Sequence, residues 1–138
     1  RFREIGFELR DKKENQEINK NLKLKITEYK ASQGDEYFLE IINRDNILFG
    51  LCRLRIFNNE SYIRELHVYG PSLSLNQKSE NAIQHKGLGK QLLKKAENIA
   101  KNSRISELKI ISGIGVREYY KKLGYRLDKN KVYMIKKL

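Results

Sequence analysis

The sequence predicts an α/β domain of the α+β type. Its mixed sheet is built from an antiparallel meander and one parallel crossover. Residues 22–69 hold short apolar stretches with a period of two, typical of half-buried strands, separated by turns too short for a crossover. A helical pattern of roughly 15 residues then separates two further strand patterns, as in a right-handed parallel crossover. A short helix and a hairpin complete the predicted domain.

The strands of the meander follow from apolar alternation and turn residues. Leu22, Leu24 and Ile26 alternate with polar residues, and the polar segment 31–35 marks a turn. The next three strands are predicted over residues 37–42, 47–57 and 62–69. Alternation in the fourth strand predicts two faces, with Ile63, Glu65 and His67 on one and Arg64, Leu66 and Val68 on the other.

Two glycines mark the predicted start of the crossover helix. A polar loop over residues 70–81 leads to Gln84-His85-Lys86-Gly87-Leu88-Gly89, where helical periodicity begins. The first turn of a helix has unpaired amides with partial positive charge, which favour phosphate. Gly87 and Gly89 leave room for a pyrophosphate, and Lys86 and Lys90 add positive charge. The spacing matches neither a Walker loop nor the dinucleotide fingerprint, and the glycines equally fit a simple turn.

The remaining elements complete the crossover and close the domain. The helix, predicted to end near residue 102, has one apolar face formed by Leu88, Leu92, Leu93, Ala96, Ile99 and Ala100. A strand over residues 107–112 follows, and then a short helix over residues 116–123 that Gly124 ends. Residues 125–127 and 132–135 are predicted to pair as the final hairpin.

Length and composition fit one soluble domain. The chain has 138 residues, 39% hydrophobic and 33% charged, which suffices for one sizeable core. No apolar run approaches the roughly 20 residues that span a bilayer, and no signal peptide pattern is present, so we expect a cytoplasmic protein without a membrane partner. The polar residues 1–21, which begin without an initiator Met, are interpreted as a linker from a preceding domain, and residues 22–138 as the domain itself.

The charge and the rare residue types limit the classes of partner. A net charge of +12 should attract polyanions such as RNA, DNA or coenzyme phosphates, unless the lysines only solubilise every face. The single cysteine, Cys52, lies in an apolar strand pattern and is interpreted as a buried inert thiol. His67 and His85 lack partners at ligand spacing, so no metal site is expected.

The motifs together resemble the GNAT acetyltransferase family from Leu22 to the end of the chain. The shared features are the mixed sheet, the Q-x-x-G-x-G segment and the Leu-Gly-Tyr turn after the short helix. Three longer words, I-R-E-L-H-V-Y-G, Q-H-K-G-L-G and I-S-G-I-G-V-R-E-Y-Y-K-K-L-G-Y, resemble the C-terminal acetyltransferase domain of the Elongator catalytic subunit family, the radical S-adenosylmethionine tRNA uridine acetyltransferases. The resemblance implies the GNAT fold, with its central strands splayed apart.

The resemblance also implies a site for acetyl-CoA between the fourth and fifth strands. The pantetheine arm would pair with the main chain of Glu65, Leu66, His67 and Val68. The pyrophosphate would rest at Gln84, Lys86, Gly87, Leu88, Gly89 and Lys90. Tyr120 matches the motif tyrosine near the coenzyme sulfur, where a phenol can hydrogen-bond the thioester or protonate a thiolate, and its neighbour Tyr119 is the alternative. Both tyrosines could instead serve only to pack the core. Arg117 either reaches a phosphate of the coenzyme or is solvated.

The chain departs from the family pattern at two places. Phe2 stands where the family commonly has a zinc-cluster cysteine, and the cysteines of a radical domain are missing, so the iron–sulfur cluster and S-adenosylmethionine are expected only in a separate radical domain. The helices usual between the first two strands are replaced by the turn over residues 31–35. This difference predicts a less enclosed acceptor side.

The function implied by the resemblance is supply of acetyl-CoA for modification of the tRNA wobble uridine at C5. The expected partners are tRNA, through the basic surface, and the radical domain of the same protein. The isolated chain should bind acetyl-CoA or hydrolyse it slowly. Two alternatives stay open: a protein lysine N-acetyltransferase with Glu65 or His67 as base, although a positive surface repels basic tails, and an RNA-binding module with a degenerate coenzyme cleft.

Overall fold

Seven strands form one mixed sheet in the computed structural model, which describes residues 22–69 and 80–138. The strands are β1 (Lys23–Ala31), β2 (Gly34–Ile42), β3 (Leu48–Phe57), β4 (Glu60–Val68), β5 (Glu107–Ile111), β6 (Arg126–Leu127) and β7 (Tyr133–Lys137), in the spatial order β1-β2-β3-β4-β5-β7-β6. The helices are α1 (Glu80–Asn102), a 3-10 turn (Ile114–Val116) and α2 (Arg117–Lys122). The predicted linker over residues 1–21 and most of the predicted loop over residues 70–81 lie outside the described residues.

The first four strands form the predicted antiparallel meander. Two-residue turns join β1 to β2 and β3 to β4, and all four turn residues have positive φ: Ser32, Gln33, Asn58 and Asn59. Positive φ at both central positions matches the right-handed twist of the flanking strands, so such turns close hairpins tightly. The β1–β2 connection therefore contains no helix, as the sequence predicted.

A parallel crossover follows the meander, also as predicted. Helix α1 joins β4 to β5, and these two strands pair in parallel. The final hairpin places β7 beside β5 and β6 at the outer edge. Neither described helix is long and apolar enough to cross a membrane.

Helix α1 begins earlier than predicted. The sequence analysis placed the helix start at Gly87 and Gly89, but α1 begins at Glu80 and both glycines lie inside it. Residues 80–86 contain neither proline nor glycine, so nothing in their chemistry stops the helix before Gly87. Because each helical amide bonds to the carbonyl four residues earlier, the amides of residues 86–90 are not the open first turn that was predicted. That prediction is wrong for this conformation.

A β-bulge corrects the predicted faces of β4. Ile63 lies opposite Leu54, whereas Glu65 lies opposite Arg53, so Arg64 is the extra residue of the bulge. One extra residue reverses the alternation beyond it. Ile63 is therefore buried on the α1 side of the sheet, while Glu65 and His67 lie on the opposite face. The prediction that these three side chains share a face is wrong.

The main core lies between α1 and one face of the sheet. The fully buried side chains of this core include Leu39, Phe49, Cys52, Leu54, Leu92, Ala96, Leu108 and Met134. Helix α1 packs closely at Gly50, where a Cβ would come within 3.1 Å of Leu92 Cδ1. The apolar face predicted for α1 is confirmed, because Leu88, Leu92, Leu93, Ala96 and Ala100 are all buried. This packing fixes the position of α1 against β3 and β4.

We expect Cys52 to resist thiol reagents as long as the chain is folded. Its side chain is completely buried, and burial raises the pKa of the thiol to about 12, so almost no reactive thiolate exists at neutral pH. Labelling with a maleimide should therefore be negligible in buffer and should follow the unfolding transition in urea. Rapid stoichiometric labelling without denaturant would contradict the burial of Cys52.

Candidate functional site

A wedge opens between β4 and β5. Parallel pairing joins only Ser61–Ile63 to Leu108–Ile110, although β4 continues to Val68. At the closed end, the buried hydroxyl of Ser61 donates a hydrogen bond of 2.6 Å to the carbonyl of Glu107. The predicted splay of the central strands is thus confirmed, and the main chain of residues 65–68 extends past the last pair with β5.

The side chains of β4 next to the wedge point to two different environments. Leu66 packs against the core below α1, and Val68 reaches toward Gly89 of α1. On the opposite face, the Glu65 carboxylate accepts a hydrogen bond of 3.0 Å from Arg53 Nη1. His67 Nε2 lies 3.6 Å from Glu65, and its ring stacks on Tyr69. Glu65 is therefore engaged by a guanidinium, which gives it a structural role in holding β3 to β4.

The two motif glycines have different surroundings. A Cβ at Gly89 would lie 2.7 Å from the Tyr119 hydroxyl and 3.4 Å from Val68 Cγ2. A Cβ at Gly87 would meet nothing within 4 Å among the described atoms. Gly89 is therefore required by the contact between α1 and α2, whereas no described atom occupies the space over Gly87.

Tyr119 and Tyr120 lie beside each other at the end of the wedge. Tyr120 is buried in the core, with 8% of its surface exposed, while Tyr119 is 39% exposed. Their rings meet edge to face with centroids 5.3 Å apart, and Tyr120 makes a similar contact with Tyr125 at 6.0 Å. Burial raises the pKa of Tyr120 to about 12 and also raises the pKa of Tyr119. Both phenols hold their protons at neutral pH and can act as hydrogen-bond donors or acids.

The structure brings together some of the predicted site residues. Val68, Gly89, Tyr119 and Tyr120 converge where β4, α1 and α2 meet, and Leu88 is buried beneath them in the core. Lys90 is exposed on α1. The side chains of Gln84 and Lys86 lie outside the described part of the chain. Gln84 and Lys86 therefore remain predictions.

Two residues near the site have roles that the sequence did not reveal. Arg53 holds Glu65, but an arginine opposite a carboxylate on the next strand can be recognised only when the register is known. Arg117 Nη2 donates to the carbonyl of Lys131 at 3.3 Å, and so it ties the start of α2 to the β6–β7 loop. Within the described ranges, no group of three His, Cys, Asp or Glu side chains is placed to hold a metal ion.

The close approach of Gly89 and Tyr119 gives a stability prediction. Replacing a glycine within a helix by alanine raises the free energy of unfolding by about 1 kcal/mol. Gly87→Ala should show this full increase, because no described atom lies within 4 Å of the added Cβ. Gly89→Ala should gain clearly less, because its methyl group displaces the Tyr119 hydroxyl. Adding Tyr119→Phe, which removes that oxygen, should restore the gain. Urea unfolding of these three variants and of Tyr119→Phe alone measures this coupling, and equal gains at both glycines would show that the contact is absent.

The fold and the wedge define a class of protein. A profile described as Acetyltransferase (GNAT) domain matches residues 9–134, nearly the whole chain, and the chain therefore belongs to the GNAT acetyltransferase family. It is 42% identical over 117 residues to the tRNA uridine(34) acetyltransferase of Dehalococcoides mccartyi, with 75% of this chain and 26% of that protein covered. It is also 37% identical, over an alignment of 150 positions, to Elongator complex protein 3 of Schizosaccharomyces pombe, with 93% and 28% covered. The chain spans little more than a quarter of the length of these relatives.

Solved structures show the same architecture. The archaeal Methanocaldococcus infernus Elp3 with an N-terminal deletion superposes with a TM-score of 0.70 at 37% identity, over 86% of this chain and 30% of that one. The paiA N-acetyltransferase from Thermoplasma acidophilum in complex with coenzyme A gives a TM-score of 0.56 at 26% identity, over 75% and 61%. The resemblance to the Elongator family and the GNAT fold, both predicted from sequence words, are confirmed. The family and the neighbouring coenzyme A complex together support the use of an acyl-CoA.

Proposed function

We propose that this chain is the acetyl-CoA-binding acetyltransferase domain of an Elongator-type enzyme that modifies the wobble uridine of tRNA at C5. The observation that carries the proposal is the wedge between β4 and β5, whose β4 end lies beside Gly89 and Tyr119. The tRNA uridine acetyltransferase among its relatives supports the substrate. The coenzyme A complex among its structural neighbours supports the cofactor.

The residues of the wedge suit the pantetheine arm and the pyrophosphate of such a coenzyme. Beyond the last pair with β5, the main chain of Glu65–Val68 offers an edge to the amides of the pantetheine arm. The open space over Gly87 and the exposed Lys90 suit the pyrophosphate. The amides of residues 86–90 bond within α1 in this conformation, so their use as a phosphate cradle requires α1 to begin closer to Gly87 when the coenzyme binds.

The two tyrosines supply protons rather than accept them. Acetyl-CoA, when bound, provides an activated acetyl group. The raised pKa values keep both phenols protonated, so each can donate a hydrogen bond to the thioester, and a phenol placed at the sulfur is the group that could protonate the departing thiolate. Neither phenol is suited to act as a base at neutral pH. The ion pair of Glu65 with Arg53 likewise gives no support to Glu65 as the base of a lysine acetyltransferase.

The proposal divides the work between this chain and a second domain. The net charge of +12 supports tRNA as a partner. The resemblance assigns the iron–sulfur cluster and S-adenosylmethionine to a radical domain, which would be the other partner. On this proposal the chain alone binds acetyl-CoA, hydrolyses it slowly, and leaves tRNA unmodified. Production of modified uridine by the chain alone would contradict the proposed division.

Calorimetric titration of acetyl-CoA into this chain tests the proposal. We expect saturable binding at one site. Tyr120→Phe keeps the ring contacts, so binding should persist while slow hydrolysis of acetyl-CoA falls by about 100-fold, the usual contribution of a positioned acid. Tyr119→Phe is the matched comparison and identifies which phenol acts.

Two companion assays, of tRNA binding and of lysine acetylation, test the two rival functions. Binding of tRNA without binding of acetyl-CoA would replace the proposal with the RNA-binding module. Acetylation of a lysine peptide, lost in Glu65→Gln, would replace it with the protein acetyltransferase.

A further inference from the structure

A groove rich in lysine lies between α1 and the end of α2. It encloses about 260 Å³ and is lined by Lys90, Leu93, Lys94, Glu97, Lys122, Leu123 and Lys136, which we call the lysine groove. Its one carboxylate, Glu97, is already paired. The Tyr125 hydroxyl donates to Glu97 Oε2 at 2.7 Å, and Lys136 Nζ lies 3.2 Å from both carboxylate oxygens. The charges of Glu97 and Lys136 therefore cancel.

Three positive charges remain around the groove. Lys90, Lys94 and Lys122 are exposed, and none of them forms an ion pair with a carboxylate in the part of the chain that the structure describes. Lys136 is held in place by a further hydrogen bond of 3.0 Å to the carbonyl of Leu123. Lysine side chains that line one groove without a described counter-charge favour a ligand with concentrated negative charge, above all a phosphate.

The groove continues from the position proposed for the pyrophosphate. Gly87, Lys90 and Lys94 are spaced three and four residues apart, so they share one flank of α1. Lys94 is about 10.5 Å from Gly87 along the helix axis, and long helical side chains lean toward the N-terminus, which shortens the distance to its ammonium group. In coenzyme A, a single ribose separates the pyrophosphate from the 3′-phosphate. Both phosphates of one coenzyme molecule can therefore lie along this flank.

We propose that the lysine groove binds the 3′-phosphate of coenzyme A. This inference rests on the proposed coenzyme function and adds the residues that would recognise the nucleotide end. A phosphomonoester carries nearly two negative charges, so three ammonium groups attract it more strongly than a phosphodiester. A groove of about 260 Å³ also suits one phosphate, whereas an RNA strand presents successive phosphates along an extended track.

The test compares acetyl-CoA with 3′-dephospho-acetyl-CoA by calorimetry. This chain should bind the dephosphorylated ligand at least tenfold more weakly, the effect of one lost charge-assisted hydrogen bond. The double variant Lys94→Gln/Lys122→Gln should bind both ligands with the weaker affinity, and Lys95→Gln should behave as the parent. Lys95 is the matched control because it is exposed on a different flank of α1.

The possible results separate this inference from the proposed function. Equal affinity of the parent for both ligands would overturn the inference while supporting the coenzyme site. Equal losses for both ligands in the double variant would also overturn it, because the lysines would then act elsewhere. Loss of tRNA affinity in the double variant without discrimination between the two ligands would assign the groove to RNA. Binding of neither ligand by the parent would overturn the inference together with the proposed function.

Discussion

Gly87→Glu is expected to abolish binding of acetyl-CoA, with an affinity loss of 100-fold or more. In the part of the chain that the structure describes, no atom lies within 4 Å of a Cβ at Gly87, so a glutamate there meets no described neighbour. The same space is where the proposal places the pyrophosphate, and a carboxylate there adds repulsion between like charges inside the site. Calorimetry with acetyl-CoA measures the loss, and circular dichroism and urea unfolding establish that the variant is folded.

Gly87→Gln is the matched control for this prediction. Glutamine has nearly the same shape as glutamate and raises helix propensity similarly, but it carries no charge. If α1 must begin closer to Gly87 to bind the coenzyme, then stabilising the long helix by about 1 kcal/mol should weaken binding by roughly fivefold in both Gly87→Gln and Gly87→Ala. Equal affinities for the glutamate and glutamine variants would place the pyrophosphate away from Gly87.

Glu36→Ala is expected to cause the largest loss of stability among these variants, about 2–3 kcal/mol. The Glu36 side chain is only 4% exposed, and three guanidinium groups surround it, with Arg64 at 3.3 Å, Arg55 at 3.4 Å and Arg53 at 3.8 Å. Removing the Glu36 carboxylate leaves the guanidinium groups of Arg55 and Arg53, on side chains that are only 16% and 29% exposed, without the counter-charge that they share. Urea unfolding followed by circular dichroism measures the change in the free energy of unfolding.

Glu118→Ala is the control for the Glu36 prediction. Glu118 also pairs with a cation, Lys121 at 3.1 Å, but its side chain is 79% exposed. Exposed pairs contribute little because water screens them, so this variant should lose no more than about 0.5 kcal/mol. A loss in Glu36→Ala as small as the loss in Glu118→Ala would show that the cluster around Glu36 is solvated.

Local signals predicted most of the fold because each depends on a few neighbouring residues. Alternating apolar residues identified β1 to β4, and the apolar stripe from Leu88 to Ala100 identified the buried face of α1. The short connections between strands required hairpins, and the helix between two strands required a parallel pair. Three longer sequence segments identified the family, and the profile match over residues 9–134 confirms it.

Contacts between distant residues account for the parts that the sequence did not predict. The bulge at Arg64 depends on the register between β3 and β4, and it brings the Arg64 guanidinium within 3.3 Å of Glu36 on β2. The position of β7 between β5 and β6 depends on which strand edge remains free. The lysine groove combines residues of α1, α2 and β7, so no single stretch of sequence contains it.

At the two motif glycines, local sequence predicted the type of element and the tertiary structure decided the surroundings of each glycine. By itself, the sequence determined that a helix with glycines at 87 and 89 follows β4, and that the chain belongs to the GNAT family. Only the tertiary structure decided that α1 begins at Glu80 and that Gly89 makes room for Tyr119, while none of the described atoms approaches Gly87. The physical reason is that a glycine, which has no Cβ, lets another group come close to its main chain. Which group comes close depends on the elements that the fold places beside that glycine.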